Sequence, residues 1–138
     1  MTIDPVRSID GPVPPRVGAL TLFVDDVPRS KAFYATVFAA SVVFEDDVSC
    51  VFGFGDTVVN LLQRSEAPPL LAPLPVAGPG ANCLLTVWID DVDAMCTALG
   101  ERGVTPVNGP VDRPWGQRTA AFSDPDGHVW ELAQHIGD

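Results

Sequence analysis

Leu20-Thr21-Leu22-Phe23-Val24-Asp25-Asp26-Val27 returns later in the chain as Leu85-Thr86-Val87-Trp88-Ile89-Asp90-Asp91-Val92, with five of eight positions identical and the other three conservative. Each octet is an apolar, β-rich run that stops at an Asp pair. Asp26 reads as the N-cap of a following helix, with Pro28 in the tolerant first turn. Asp90-Asp91 open a second helix in the same way. Internal repetition of this kind predicts two similar units, each with one helix on one face of a small sheet. A unit that small cannot cover its sheet alone, so the two units must share a surface.

Working outward, the first unit predicts a strand over 19–24 and a helix over 30–39. Phe33 and Val37 lie four apart on one helix face, with Tyr34 and Phe38 beside them. Strands follow over 41–44, 49–54 and 57–63, the last two joined by a tight Gly55-Asp56 turn. Residues 67–80 carry Pro68, Pro69, Pro73, Pro75 and Pro79 with Gly78 and Gly80. Such a segment is excluded from helix interiors and central strands, and it reads as a linker. The pattern then restarts with a strand over 82–89, a helix over 92–102 with Met95 and Leu99 on one face, and Gly103 at its C′ position. A short strand over 104–107, a loop over 109–116 carrying Trp115, a strand over 117–123, an Asp124-Pro125-Asp126-Gly127 turn and a strand over 128–134 complete it. The organisation is an extended N-terminal arm (1–15), a first module (16–66), the linker (67–80) and a second module (81–136).

The chain has 138 residues, 46% hydrophobic and 19% charged, a globular composition sized for one core. Eighteen acidic against eight basic residues give a formal net charge of −10. That surface repels phosphate backbones and anionic lipid, so neither nucleic acid nor membrane is expected as a partner. Cys50, Cys83 and Cys96 have no metal spacing, and an odd count argues against a disulfide framework. The N-terminal stretch has no basic region followed by an apolar one, and no apolar run approaches the about 18 residues of a bilayer span. The expectation is a cytoplasmic protein.

Paired βαβββ modules, the openings "FVDDVPRSKAFY" and "IDDVDA", and the close "SDPDGHVWELAQ" resemble the glyoxalase/bleomycin-resistance (vicinal oxygen chelate) superfamily over roughly residues 16–134. The resemblance implies an α+β fold in which two βαβββ modules form cup-shaped sheets with helices on the outer face, and a homodimer. In metal-dependent members four ligands face the cup. Their positions fall here on Ala19, Asn60, Leu84 and Glu131. Alanine and leucine cannot ligate a metal and asparagine is a weak oxygen donor, so only Glu131 survives and no metal or other cofactor is expected.

Alternation along the strands then lists the rest of the cup: Thr21 and Phe23, Val58 and Leu62, Thr86 and Trp88, Val129 and Ala133. This face is mostly apolar with a few polar groups, the composition of a small-molecule pocket, although an ordinary core has the same composition. Trp115 in its Pro-Trp-Gly loop and Arg118 on the following strand are candidates for the rim, whereas Trp130 reads as helix packing. His128 reads as a turn residue with local hydrogen bonds, and His135 as solvated. The candidate ligand-binding residues are Thr21, Phe23, Asn60, Leu62, Leu84, Thr86, Trp88, Trp115, Arg118 and Glu131.

Two functions from different classes fit these residues. One is a metal-free protein that sequesters a hydrophobic or cationic small molecule, for instance an antibiotic, in a pocket shared by two subunits, with Glu131 meeting the positive charge. The other is a metal-independent lyase or isomerase with Glu131 as catalytic general acid or base. A third reading is a family remnant that serves in an assembly and binds no small ligand.

Overall fold

The computed structural model describes residues 16–137. The N-terminal arm expected over 1–15 lies outside the described residues. The first half builds β1 (Ala19–Val24), α1 (Val27–Phe38), β2 (Val42–Glu45), β3 (Ser49–Phe54) and β4 (Thr57–Gln63). A single turn of 3₁₀ helix (Arg64–Glu66) and α2 (Pro68–Leu71) follow. The second half builds β5 (Leu84–Trp88), α3 (Val92–Glu101), β6 (Asn108–Arg113), β7 (Gln117–Ser123) and β8 (Val129–His135). Each half makes its own four-stranded sheet, ordered β1-β4-β3-β2 and β5-β8-β7-β6. In both, the first strand pairs in parallel with the last and the other pairings are antiparallel. This is the α+β arrangement of two βαβββ modules.

The Asp pairs act as the repeat predicts. Asp26 and Asp91 adopt extended backbone, and each side chain accepts from the backbone N–H three residues on, Arg29 N and Ala94 N, both at 3.0 Å. Those bonds satisfy donors that a helix start leaves free. The partner aspartate of the first pair, Asp25, takes an ion pair from Arg64 Nε at 2.8 Å.

Strand alternation sorts each sheet into two faces. Toward the helices point Leu22 and Val24, Cys50 and Phe52, Val59 and Leu61, Ala120 and Phe122, Trp130 and Leu132, all buried. They meet Val27, Tyr34 and Val37 of α1 and Val92 and Leu99 of α3 in one core. Tyr34 rather than Phe33 is the most deeply buried aromatic of α1. Trp130 takes the packing role expected of it, with ring centres 4.9 Å from Phe38 and 5.9 Å from Tyr34.

Two expectations are corrected. The edge strand β6 occupies 108–113, overlapping the loop expected over 109–116, and 104–107 is not a strand. β6 tolerates Pro110 because it lies at the sheet edge, where a missing N–H costs no ladder bond. Gly109, at φ 79°, makes this possible: a Cβ there would sit 2.3 Å from Thr119 O. The linker is also not free of helix, because Pro68 and Pro69 occupy the first turn of α2, where proline is tolerated.

The two halves are joined by the Asp124–Gly127 turn. Asp124 Oδ1 accepts from the N–H groups of Asp126 and His128, which fixes the turn. Its Oδ2 accepts from Tyr34 OH in the other half and from His128 Nδ1 at 2.8 Å. Tyr34 OH in turn accepts from Trp130 Nε1 at 3.0 Å. Asp126 reaches across as well, accepting from Asp25 N at 3.0 Å and Ser30 Oγ at 3.2 Å. Both carboxylates are buried and multiply bonded, the condition under which buried charge is tolerated. Burial and the Asp124 charge together push the Tyr34 hydroxyl well above its ordinary range, so it remains a donor.

Tyr34→Phe leaves the Trp130 indole N–H without its acceptor and removes one donor from Asp124. We expect a loss of about 1–3 kcal/mol, read as a lower denaturant midpoint at constant slope. An unchanged midpoint would show that the hydroxyl does not hold the halves together.

Burial pushes the Asp124 carboxyl up, but the hydrogen bonds from His128 and Tyr34 outweigh it and hold the group below its ordinary value. A depressed folded value means the stabilisation is present above the ordinary range, about pH 4, and disappears as pH falls through the folded value. The wild-type thermal midpoint should therefore drop on acidification below about pH 4. Asp124→Asn should start lower at neutral pH and drop less steeply, and parallel curves for the two proteins would remove Asp124 as the source.

Candidate functional site

The faces turned away from the helices carry every cup position read from the sequence. On the first sheet, Thr21 lies opposite Asn60 and Phe23 opposite Leu62. On the second, Thr86 lies opposite Glu131 and Trp88 opposite Ala133. The repeat thus places a threonine beside a longer polar side chain on both faces. Asn60 Nδ2 approaches Thr21 Oγ1 at 3.5 Å, while Thr86 Oγ1 donates to Glu131 Oε1 at 2.9 Å. Asn60 Oδ1 is buried and, among the described residues, has no hydrogen-bond partner.

The two faces differ in exposure. Leu62 is buried and Phe23 half-buried, whereas Trp88 is 64% and Leu84 51% exposed. Trp88 and Leu84 are thus both exposed on one strand face, with Thr86 between them. Glu131 is half-buried. Its partner is the threonine, which orients the carboxylate without neutralising it. Trp115 stands on the turn after β6, 61% exposed, and donates from Nε1 to Gln117 Oε1 at 3.3 Å.

Arg118 does not join this face. It points to the helix side, where its guanidinium binds Asp93 of α3 at 2.7 Å and Asp112 of β6 at 2.8 Å. Its hydrogen bonds hold the Asp93 carboxyl below the usual range. The expectation that Arg118 lines the rim is therefore corrected: the residue after Gln117 alternates onto the opposite face from Thr119. The cation on the open face is Arg113, which pairs with Gln117 across the β6–β7 turn and donates from Nε to Thr119 Oγ1 at 2.9 Å. It escaped the sequence reading because 109–116 read as loop. Recognised as an edge strand, that segment would have put Arg113 in register with Glu131's face. His135 is the last residue of β8 and pairs with Gln117, so alternation puts it, exposed, on the same face as Glu131. His128 instead bonds Asp124 in the turn.

Two cavities lie beside the sheets, the first mostly on their helix side. One of about 370 Å³ lies between the halves, lined by Leu20, Phe54, Val59, Leu85, Thr86 and Trp130. The other, about 310 Å³, lies between β1 and the linker and is bordered by Phe23, Arg64, Cys83 and His128. Neither is lined by Trp88, Glu131 or Arg113.

The donor set does not fit a divalent metal of the superfamily's kind. Ala19 and Leu84 offer no ligand atom, and Asn60 and Glu131 sit on different sheets, each beside a threonine. Among the described residues no three His, Cys, Asp or Glu side chains cluster to hold one elsewhere. Cys50, Cys83 and Cys96 are free thiols. No described helix is long and apolar enough to cross a membrane.

Comparison with known proteins agrees with this architecture. YraH, an uncharacterized protein of Bacillus subtilis (strain 168), is 29% identical over 119 residues, covering 82% of this chain and 93% of that protein. A glyoxalase/bleomycin resistance protein/dioxygenase superfamily member from Sphaerobacter thermophilus DSM 20745 superposes with a TM-score of 0.70 at 27% identity, covering 88% of this chain and 98% of that one. Lactoylglutathione lyase from Agrobacterium tumefaciens superposes with a TM-score of 0.73 at 22% identity, over 88% and 95% of the two chains, a likeness of fold alone. The family model for the Glyoxalase/Bleomycin resistance protein/Dioxygenase superfamily matches residues 16–132, and the chain belongs to that superfamily.

Proposed function

We propose that this chain is a metal-free small-molecule binding protein of the bleomycin-resistance type. The observation that carries this reading is the exposed Trp88 on a sheet face that also holds the Thr86–Glu131 pair. An exposed indole offers a large apolar surface for a flat ligand and a negative π face for a cation. Glu131, held by Thr86, supplies the charge that a cationic group would meet. A hydrophobic or cationic molecule such as an antibiotic suits both. The open apolar face further supports a homodimer in which a second subunit closes the pocket, since such a face costs free energy in water. A reducing cytoplasmic setting accords with the three free thiols.

A second reading is favoured by one detail. The 2.9 Å bond from Thr86 fixes one oxygen of Glu131 and leaves the other free to take or give a proton. A metal-independent lyase or isomerase would use Glu131 in this way.

Native mass spectrometry of the untagged protein tests the first reading. The expected result is a dimer mass carrying an organic adduct, with the adduct lost from Trp88→Ala. Equal retention of the adduct by that variant would sink the assignment of Trp88, and a monomer mass at micromolar concentration would sink the shared pocket. Turnover of a candidate substrate that vanishes in Glu131→Gln would favour the enzyme.

A further inference from the structure

The open face of the second sheet holds a single arginine or lysine among the described residues, Arg113 at the end of β6. Its guanidinium is already oriented. Nε donates to Thr119 Oγ1 at 2.9 Å and Nη2 to Asn108 Oδ1 at 3.4 Å, and both acceptors are neutral. The Trp115 ring centre stands 6.0 Å from its central carbon. Arg29, Arg64 and Arg118 each meet a carboxylate, whereas Arg102 binds only the Thr36 carbonyl. Among the described residues no carboxylate pairs with Arg113, in a chain whose formal net charge is −10. The two bonds use two of the five donors that a guanidinium presents in its planar fork. The others have no protein acceptor on this face among the described residues.

We propose that Arg113 is an anion-recognition residue, and that the ligand of this face combines an aromatic or apolar body with a carboxylate. The proposal rests on the reading of this face as a small-molecule site. A carboxylate matches the guanidinium fork with two parallel hydrogen bonds. A monoanion is favoured over a dianionic phosphate because the acidic surface repels the larger charge more strongly. The register gives the ligand its dimensions. Trp88, Ala133, Thr119 and Val111 lie in one row across the sheet, with Ala133 and Thr119 buried beneath their neighbours and Trp88 and Val111 exposed at its two ends. Three strand spacings separate β5 from β6, about 14 Å, which suits a ring on Trp88 and a short chain ending at Arg113. Glu131 stands one row away and takes a hydrogen-bond donor or an amine, so an amphoteric acid uses both ends of the face.

The test is a titration of ¹⁵N-labelled full-length protein with three probes of one shape: 3-phenylpropionate, 3-phenylpropanamide and 3-phenylpropylamine. The Arg113 Nε–H and the Trp88 and Trp115 indole N–H signals report on the face. We expect 3-phenylpropionate to shift all three and to bind about tenfold more tightly than the neutral amide, the size of one charge-assisted contact. Arg113→Gln should abolish that ratio while leaving the affinity of the amide unchanged, which also shows the variant is folded, and Arg113→Lys should restore part of it. Equal affinity for acid and amide, or a ratio that survives in Arg113→Gln, overturns the anion site and leaves the binding face standing. No shift at these signals with any probe overturns the binding face, and the anion site with it.

Discussion

The structure depends on one turn. Asp124 and Asp126 sit in the turn of the last hairpin of the second module, yet both carboxylates reach the first, at Tyr34 OH, Ser30 Oγ and Asp25 N. Each module leaves an apolar sheet surface that its single helix cannot cover. The shared core of Tyr34, Phe38, Phe122 and Trp130 covers it, and apolar packing alone specifies relative position poorly. The turn supplies what packing lacks. Its buried carboxylates are stable only where their donors are, so the halves can dock in one arrangement. Tyr34 links both layers, with its ring in the core and its hydroxyl in the network.

Much of this was legible in the sequence for a simple reason. The repeat doubled every signal. Two octets ending in Asp pairs gave two strands and two capped helices, and alternation gave the face of each strand without knowledge of the register. Thr21, Asn60, Thr86, Trp88 and Glu131 fall on the open faces because strand geometry is local. The failures are equally local. β6 was missed because 109–116 read as a loop, and edge position is a property of the whole sheet and not of the segment. Losing that strand lost Arg113 and left Arg118 as the apparent cation of the site. Nothing in the octets announced that Asp124 and Asp126 reach the other half, because those bonds join residues about a hundred positions apart.

The two open faces are related by the repeat but chemically unequal. The first pairs Thr21 with a neutral amide and half-buries Phe23. The second pairs Thr86 with a carboxylate, exposes Trp88 and adds Arg113. Helix-side residues of both modules enter one core, while the outer faces differ in chemistry.

That separation of faces has a consequence for how the molecule can change over time. Side chains on the helix side of each sheet carry the packing, while their neighbours one position away in the chain point to the opposite side. A replacement at position 19 or 84 alters what the outer surface can hold and removes nothing from the interior. The scaffold can thus drift from one ligand chemistry to another without passing through poorly folded intermediates. Ala19 and Leu84 are both exposed on the outer faces, so neither takes part in the interior packing.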